Sequence, residues 1–207
     1  MDARTIEIYD ALGAEFSKRY RGGERFAIER VKEAFSGCQR VLEVGTGSGI
    51  DFSRLLAMGF DATGLEPSRT FIQEAYTHFP ETRDRIQQGS LPLNETLRDE
   101  WASAFDAVFC SAVFMHIPAE MRTECMRDLA HALRSKGRVY FTISECREGL
   151  DGDYRDEFGR LYIPLNREDT LNLIDSGGLR ILQEWKHKDG RHSRGLNWVS
   201  YLLEKIR

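Results

Sequence analysis

The sequence predicts an α/β protein with a doubly wound, mostly parallel, seven-stranded sheet, and three observations lead to this fold class. Apolar runs of strand length alternate with segments of helical periodicity, as in βαβ units. One such run, Val41–Val44, leads directly into three alternate glycines, Gly45, Gly47 and Gly49. The last two apolar runs are separated by Lys186–Leu196, a polar segment without a helical pattern. We therefore expect a hairpin there, with one antiparallel strand near the C-terminus.

The elements follow in order from the N-terminus. Residues 1–35 are mostly of helical character, with apolar spacing at Ile8, Leu12 and Phe16. Because they precede the first strand, we expect them to pack over one edge of the sheet as a helical cap, called the cap segment below. The predicted strands are Arg40–Val44, Ala62–Glu66, Arg85–Gln88, Phe105–Cys110, Arg138–Ile143, Leu179–Trp185 and Asn197–Leu203.

Two later helices carry clear end signals. The pattern from Ala119 to Ser135 predicts a helix that follows Pro118 and ends at Gly137. Asn166 is expected to cap another helix that ends at Gly177-Gly178.

Bulk properties exclude several classes of protein. The 207 residues suffice for one domain, and 41% hydrophobic residues with only five prolines indicate a globular chain. The net charge of −4 argues against a generally basic nucleic-acid surface. No apolar run approaches ~18 residues and no signal peptide is recognisable, so we expect a soluble cytoplasmic protein without a membrane partner. The four cysteines form no Cys-x-x-Cys pair, so neither a zinc site nor a disulfide framework is expected.

The glycine-rich turn predicts a nucleoside-binding site. Glu66 closes the next apolar run, 21 residues beyond Gly45, where its carboxylate is placed to accept hydrogen bonds from a ribose diol. A phosphate-binding P-loop would need Gly-Lys-Ser/Thr, and no lysine follows these glycines. A dinucleotide loop would read G-x-G-x-x-G, but the third glycine comes one position early and Ile50 stands where it is required.

Several motifs together resemble one family. Val41–Gly49 is similar to an acidic-x-Gly-x-Gly-x-Gly motif, and Leu65-Glu66-Pro67-Ser68 to the acid that follows it on the second strand. Phe105–Cys110 with Met115-His116-Ile117-Pro118, and Lys136-Gly137-Arg138-Val139, resemble the fourth-strand region and the approach to strand five. In these the chain resembles the class I S-adenosylmethionine-dependent methyltransferases, of the small single-domain type 11/12-like kind. The resemblance implies a Rossmann-like fold and S-adenosylmethionine as cofactor, with S-adenosylhomocysteine as product.

The resemblance also assigns site residues. Glu43 would orient the amino group of the cofactor, Glu66 would bind the ribose, and Ser90 is nearest to the aspartate that in many relatives accepts from the adenine amino group. Cys110 and Ser111 would face the cofactor with backbone atoms. The cofactor-binding residues implied in this way are Glu43, Gly45, Thr46, Gly47, Gly49, Glu66, Pro67, Ser90, Leu91, Cys110 and Ser111.

The resemblance further implies a single methyltransferase domain over residues 1–207, made of four segments. Residues 1–35 are the cap segment, 36–145 a cofactor-binding core, 146–164 a lid insertion, called the lid segment below, and 165–207 a helix and hairpin.

Catalytic and substrate residues are expected in the two covering segments and after strand four. His116 is a candidate general base with a pKa suited to that role near neutrality. Candidate substrate contacts are Tyr9, Tyr20 and Arg21 in the cap segment and Arg160 and Tyr162 in the lid segment. No metal is expected, because Arg155 and Asp156 interrupt the only stretch that resembles a calcium loop.

The leading functional hypothesis is methyl transfer to a nucleophilic O, N or C of a small-molecule acceptor. A second hypothesis is methylation of RNA or protein, with two basic stretches as docking surface. A third is a catalytically inactive cofactor-binding module, and a nicotinamide oxidoreductase follows far behind. The basic stretches comprise Lys18, Arg19, Arg21 and Arg25, and Lys186, Lys188, Arg191 and Arg194.

Overall fold

A computed structural model describes residues 1–22, 26–188 and 197–206 of the chain. All seven predicted strands are present, each within a few residues of its predicted bounds. Numbered along the chain, they are β1 (Arg40–Val44), β2 (Asp61–Glu66), β3 (Ile86–Gln88), β4 (Phe105–Ser111), β5 (Leu133–Cys146), β6 (Leu179–Lys188) and β7 (Asn197–Lys205).

The strands form one sheet in the order β3-β2-β1-β4-β5-β7-β6. Strands β1 to β5 pair in parallel, and β7 lies antiparallel between β5 and β6. The predicted doubly wound sheet with one antiparallel strand is therefore confirmed. Most of the predicted connection Lys186–Leu196 lies outside the described residues, although Lys188 and Asn197 pair at its two ends.

Seven α-helices complete the described part of the chain. The predicted cap at Asn166 is confirmed, since its side chain accepts a hydrogen bond from the Asp169 amide. Asp2 and Ser68 cap two further helices in the same way. The helices are α1 (Ala3–Arg21), α2 (Phe26–Ala34), α3 (Ile50–Ala57), α4 (Arg69–His78), α5 (Glu95–Glu100), α6 (Arg122–Ala132) and α7 (Arg167–Ser176).

The predicted helix over Ala119–Ser135 is wrong at both ends. Its first turn is a 3₁₀ turn, and the α-helix ends at Ala132 because Leu133 already pairs with Phe105 in the sheet. A β-bulge follows, in which Lys136 adopts a left-handed φ of 60°. Gly137 is needed for close approach, since a Cβ there would lie 2.9 Å from the Arg134 carbonyl oxygen. The glycine therefore serves the bulge and does not terminate the helix.

Apolar side chains cover both faces of the sheet, as the alternation of side chains along a strand requires. Leu42 and Val108 face the side covered by α5, α6 and α7, whereas Val41 and Phe109 face α2 and α3. Within the described residues, no helix combines the length and apolar character needed to cross a membrane.

The first helix of the cap segment, α1, lies across the carboxyl ends of the strands, whereas α2 packs against a face of the sheet beside α3. Gly13 of α1 packs against Thr70 of α4, where a Cβ would come within 2.8 Å of the threonine methyl group. The Asp10 carboxylate accepts a 2.7 Å hydrogen bond from the Ser68 hydroxyl, and the Asp2 amide donates to the His116 carbonyl oxygen at 3.0 Å. These contacts hold α1 over the loops that follow β2 and β4.

Candidate functional site

A cavity of about 330 Å³ opens at the carboxyl ends of β1, β2, β4 and β5. Val44 pairs with Leu65 on one side and with Cys110 on the other, so three strands end side by side. The chain adds β2 and β3 to one side of β1 and the remaining strands to the other side. In open α/β sheets, ligands bind in the crevice that this reversal of strand order creates. Glu66 and Ser111 line the cavity at this level.

The three glycines of the loop after β1 have different structural roles. All have positive φ, at 75° for Gly45, 57° for Gly47 and 81° for Gly49, which other residues adopt only at a cost. A Cβ on Gly45 would lie 2.5 Å from Val113, and one on Gly49 would lie 2.7 Å from Ala75. A Cβ on Gly47, by contrast, would meet only the Gly45 carbonyl oxygen, at an unstrained 4.0 Å. Two glycines therefore allow close packing, and Gly47 leaves room for a ligand.

Glu66 is the acid that faces this loop. Its side chain is buried, and its two carboxylate oxygens accept hydrogen bonds from the Gly47 amide at 2.7 Å and from the Ser68 amide at 2.9 Å. Burial raises its pKa from 4.5 to about 7 in spite of these bonds. Each oxygen retains a second lone pair, so the carboxylate can still accept from hydroxyl groups of a ligand.

Two further acids, Glu43 and Asp51, are buried in the same wall of the cavity. Glu43 was predicted from the sequence, whereas Asp51 was missed. Asp51 lies in the first turn of α3, two residues beyond the last glycine, and this spacing was its only signal in the sequence.

The remaining predicted cofactor residues lie at different distances from the cavity. Thr46 lines it together with the glycines. Pro67, Ser90 and Leu91 instead line a much smaller cavity of about 10 Å³. This volume holds one water molecule at most, so the side chains around Ser90 must shift for an adenine ring to reach it.

Three predicted residues line neither cavity. The backbone of Gly49 turns away into α3, and Cys110 is buried in the sheet, where burial raises the pKa of its thiol. Arg21 points outward and donates to the Ser17 hydroxyl at 2.7 Å and to the Glu74 carboxylate at 3.4 Å. Its neighbour Arg19, which we did not predict as a substrate contact, lines the cavity instead.

The lid segment meets the cap segment through Arg160. Its Nε and Nη2 donate to the Asp156 carboxylate at 2.9 and 2.6 Å. Its Nη1 donates to the hydroxyls of Tyr9 and Tyr20, each at 3.1 Å. The guanidinium also lies 4.6 Å from the centre of the Phe16 ring, a cation–π contact. Arg160, Tyr9 and Tyr20, predicted separately, are thus brought together in the cavity wall.

His116 is buried beneath the same tyrosine. Its Nδ1 is bonded to the Leu161 carbonyl oxygen, and its Nε2 lies 3.0 Å from the Tyr9 hydroxyl. Because a carbonyl oxygen only accepts, Nδ1 carries the proton, and Nε2 accepts from Tyr9. Burial and then the positive charge of Arg160 lower the pKa of His116 to about 4. The expectation that His116 titrates near neutrality is therefore wrong.

Arg147 is a residue of the cavity wall that was not predicted from the sequence. It follows the end of β5, and its guanidinium lies 4.4 Å from the centre of the Tyr162 ring. Its Nη2 donates to the carboxylates of Asp156 and Glu157, both at 3.1 Å. Tyr162 lines the same cavity, and burial raises the pKa of its hydroxyl to about 12. The Ser144 hydroxyl and Arg147 act to lower this pKa, but the Tyr162 hydroxyl has no hydrogen-bond partner among the described residues.

Comparison with known proteins agrees with this geometry. A family model described as a methyltransferase domain matches residues 42–139. A solved structure of Burkholderia thailandensis 1,6-didemethyltoxoflavin-N1-methyltransferase, with 1,6-didemethyltoxoflavin and S-adenosylhomocysteine bound, superimposes with a TM-score of 0.75 at 16% identity. The match covers 98% of this chain and 87% of that one. The chain belongs to the class I S-adenosylmethionine-dependent methyltransferases.

The names of relatives within this family describe different methylation reactions. The ubiquinone biosynthesis O-methyltransferase of Dechloromonas aromatica is 30% identical over 153 residues, which cover 72% of this chain and 60% of the relative. The glycine/sarcosine N-methyltransferase of Aphanothece halophytica is 24% identical over 196 residues, covering 90% and 70%. The chain spans about half the length of several of the curated relatives that it matches.

The two basic stretches lie on different elements in the described part of the chain. Lys18 is exposed on α1, whereas Lys186 lies on the edge strand β6. Arg25, Arg191 and Arg194 lie outside the described residues.

Proposed function

We propose that this chain binds S-adenosylmethionine at the carboxyl edge of its sheet and transfers the methyl group to a small-molecule nucleophile. The observation that carries this proposal is the contact between Glu66 and the Gly47 amide, in the wall of the cavity that both residues line. A carboxylate there can accept from both hydroxyls of a ribose, while the loop lets the nucleoside lie against the backbone.

The acidic wall fits the charge of this cofactor. Glu43 on β1, the strand beside that of Glu66, and Asp51 in α3 both line the cavity, where carboxylates attract the amino group and the sulfonium of the cofactor. When bound, S-adenosylmethionine supplies a methyl group already activated for in-line displacement. The acceptor lone pair would form the bond to carbon while the carbon–sulfur bond breaks with its electrons leaving on sulfur, so the residues of the cavity mainly have to align acceptor and methyl group. Positioning of this kind contributes ~7–11 kcal/mol in favourable cases.

Any proton that leaves the acceptor needs a base, and His116 remains our candidate. It is neutral at physiological pH, so the lone pair of Nε2 is available there. Because Tyr9 donates to this atom and itself lines the cavity, we infer that Tyr9 stands between the acceptor and His116. A proton would then pass to the Tyr9 oxygen as the tyrosine proton moves to Nε2.

Small size of the acceptor is supported by the cavity itself. Its volume of about 330 Å³ is at the low end of the range for small-molecule sites, and the cofactor would occupy much of it. The relatives described above are named for O- and N-methylation. We therefore propose a nucleophilic O, N or C on a compact acceptor, in preference to RNA or protein.

Two measurements test the proposal. Calorimetric titration should show binding of S-adenosylhomocysteine with a micromolar Kd, a binding free energy of about −8 kcal/mol. NADH should show no comparable binding. Incubation with methyl-labelled S-adenosylmethionine and pooled metabolites should then label a low-molecular-weight acceptor. Binding without transfer to any acceptor would favour an inactive module, and tighter binding of NADH would contradict the cofactor assignment.

A further inference from the structure

The cavity has walls of opposite charge. Glu43, Asp51 and Glu66 lie on the side of β1, β2 and α3, whereas Arg147 and Arg160 line it from the lid segment and its start. The acids suit the positive groups of the proposed cofactor. The arginines instead line the part of the cavity that the lid segment covers, so their charge needs an explanation of its own.

Arg147 has hydrogen-bonding capacity that the protein does not use. Its side chain is only 3% exposed, so water satisfies little of it. Nη2 is bonded to Asp156 and Glu157, whereas the buried Nε has no hydrogen-bond partner in the described part of the chain. A buried guanidinium with unmade hydrogen bonds is costly, because desolvation is not offset by partners.

The charges around the two arginines do not balance. Both Arg147 and Arg160 pair with Asp156, whose side chain is fully buried. The second acidic partner of Arg147, Glu157, is 48% exposed, and Arg160 otherwise donates only to neutral tyrosine hydroxyls among the described residues. Two buried cations therefore share one buried anion, an arrangement that a negatively charged ligand would stabilise.

We propose that this basic wall is the acceptor subsite and that the acceptor is a small carboxylate, held by Arg147 with Arg160 behind it. This rests on the proposed function, which supplies the methyl donor on the opposite wall. A planar carboxylate matches the fork of a guanidinium, and the acidic wall repels it toward the lid side. The Tyr162 ring under Arg147, with Phe26 and Trp198 in the same cavity, gives an apolar surface for the body of the acceptor.

Benzoate and its neutral isostere benzamide test this assignment in the full chain saturated with S-adenosylhomocysteine. We expect saturable benzoate binding in the millimolar range and benzamide binding about tenfold weaker, a difference of about 1.4 kcal/mol. The variant Arg147→Gln should lose this preference while its affinity for S-adenosylhomocysteine stays within about twofold. Arg180→Gln removes the same charge from a surface pair with Glu204 and should behave as the wild type.

Several outcomes would overturn the proposal. These are equal binding of benzoate and benzamide, no benzoate binding, or a preference for benzoate that survives Arg147→Gln. Loss of S-adenosylhomocysteine affinity in Arg147→Gln, with no benzoate bound to the saturated wild type, would assign the arginine to the carboxylate of the cofactor. If the wild type fails to bind S-adenosylhomocysteine, the proposed function fails, and the comparison of benzoate with benzamide in the ligand-free protein still decides the charge preference of the wall. Because that comparison needs no variant, it holds even if Arg147→Gln does not fold.

Discussion

The two halves of the cavity are built in different ways. The half around Glu66 depends on backbone geometry, and its contacts join residues close in sequence: Gly47 lies 19 positions from Glu66 and Ser68 lies two. The half under the lid segment depends on side chains: besides short-range bonds from Arg147 and Arg160 to Asp156, Arg160 reaches Tyr9 over 151 positions and Tyr20 over 140. A local motif thus forms the first half, and tertiary packing forms the second.

This contrast predicts that the lid half contributes more to stability, and Arg160→Ala is the strongest test. The variant leaves the buried Asp156 carboxylate with Arg147 as its one ion-pair partner among the described residues and breaks the bonds to Tyr9 and Tyr20. Loss of one partner in a buried ion pair costs about 3–5 kcal/mol. We expect a decrease of that order in the free energy of unfolding, measured in urea.

Arg180→Ala is the matched control, since it removes an exposed arginine that pairs with Glu204 on β7, and it should cost less than about 1 kcal/mol. Equal effects of the two substitutions would show that the lid network adds no stability beyond a surface pair.

Glu66→Ala changes the half of the cavity around Glu66, where we expect a larger effect on ligand affinity than on the free energy of unfolding. It removes the acceptor for the ribose hydroxyls, so the affinity for S-adenosylhomocysteine should fall by about 1–3 kcal/mol. Asp61→Ala, at the exposed amino end of the same strand, is the control and should bind normally. Calorimetry on folded Glu66→Ala with unchanged affinity would place the ribose elsewhere.

The pKa of Glu66 gives the same half a pH dependence. Ribose hydroxyls donate to the ionised form, so affinity for S-adenosylhomocysteine should weaken as pH falls through about 7, by up to about tenfold between pH 8 and pH 6. The ligand-free protein should show the reverse, because a raised pKa means that the folded state holds its proton longer than the unfolded state. Its stability relative to Glu66→Gln should fall as pH rises from 4.5 toward 7. A flat affinity profile that matches that of Glu66→Gln would contradict this account.

The smallest expected effect comes from two glycine substitutions, whose comparison distinguishes backbone strain from loss of a ligand contact. Gly47→Ala and Gly59→Ala both place a side chain at positive φ with no protein atom in the way, at 57° and 91°. Each should cost about 1 kcal/mol of stability in thermal unfolding. Only Gly47→Ala should also weaken S-adenosylhomocysteine binding, since its methyl group enters the cavity. Equal binding by the two variants would show that the ligand does not approach Gly47.

The same contrast explains what the sequence could predict. The strands, the glycine turn and Glu66 were predictable because hydrophobic period and motif spacing are local properties. The end of α6 was not, because pairing of Leu133 with Phe105 competes with helical propensity.

In the lid half, some of the residues could be predicted from the sequence, but the hydrogen bonds between them could not. Arg160 and Tyr9 were both predicted, yet nothing local indicates that they share a hydrogen bond. Arg147 was missed altogether, because its role comes from burial against Asp156 and Tyr162. The pKa of His116 could not be anticipated for the same reason, since burial and Arg160 set it.

A crystal structure of the full chain with S-adenosylhomocysteine tests the central claim most directly. We predict both ribose hydroxyls within hydrogen-bond distance of the Glu66 carboxylate, the homocysteine amino group toward Glu43 and Asp51, and the sulfur facing the wall formed by Arg147, Arg160 and Tyr9. A nucleoside bound outside this cavity, or bound with its ribose against the lid segment, would contradict the division of the cavity into a cofactor half and an acceptor half.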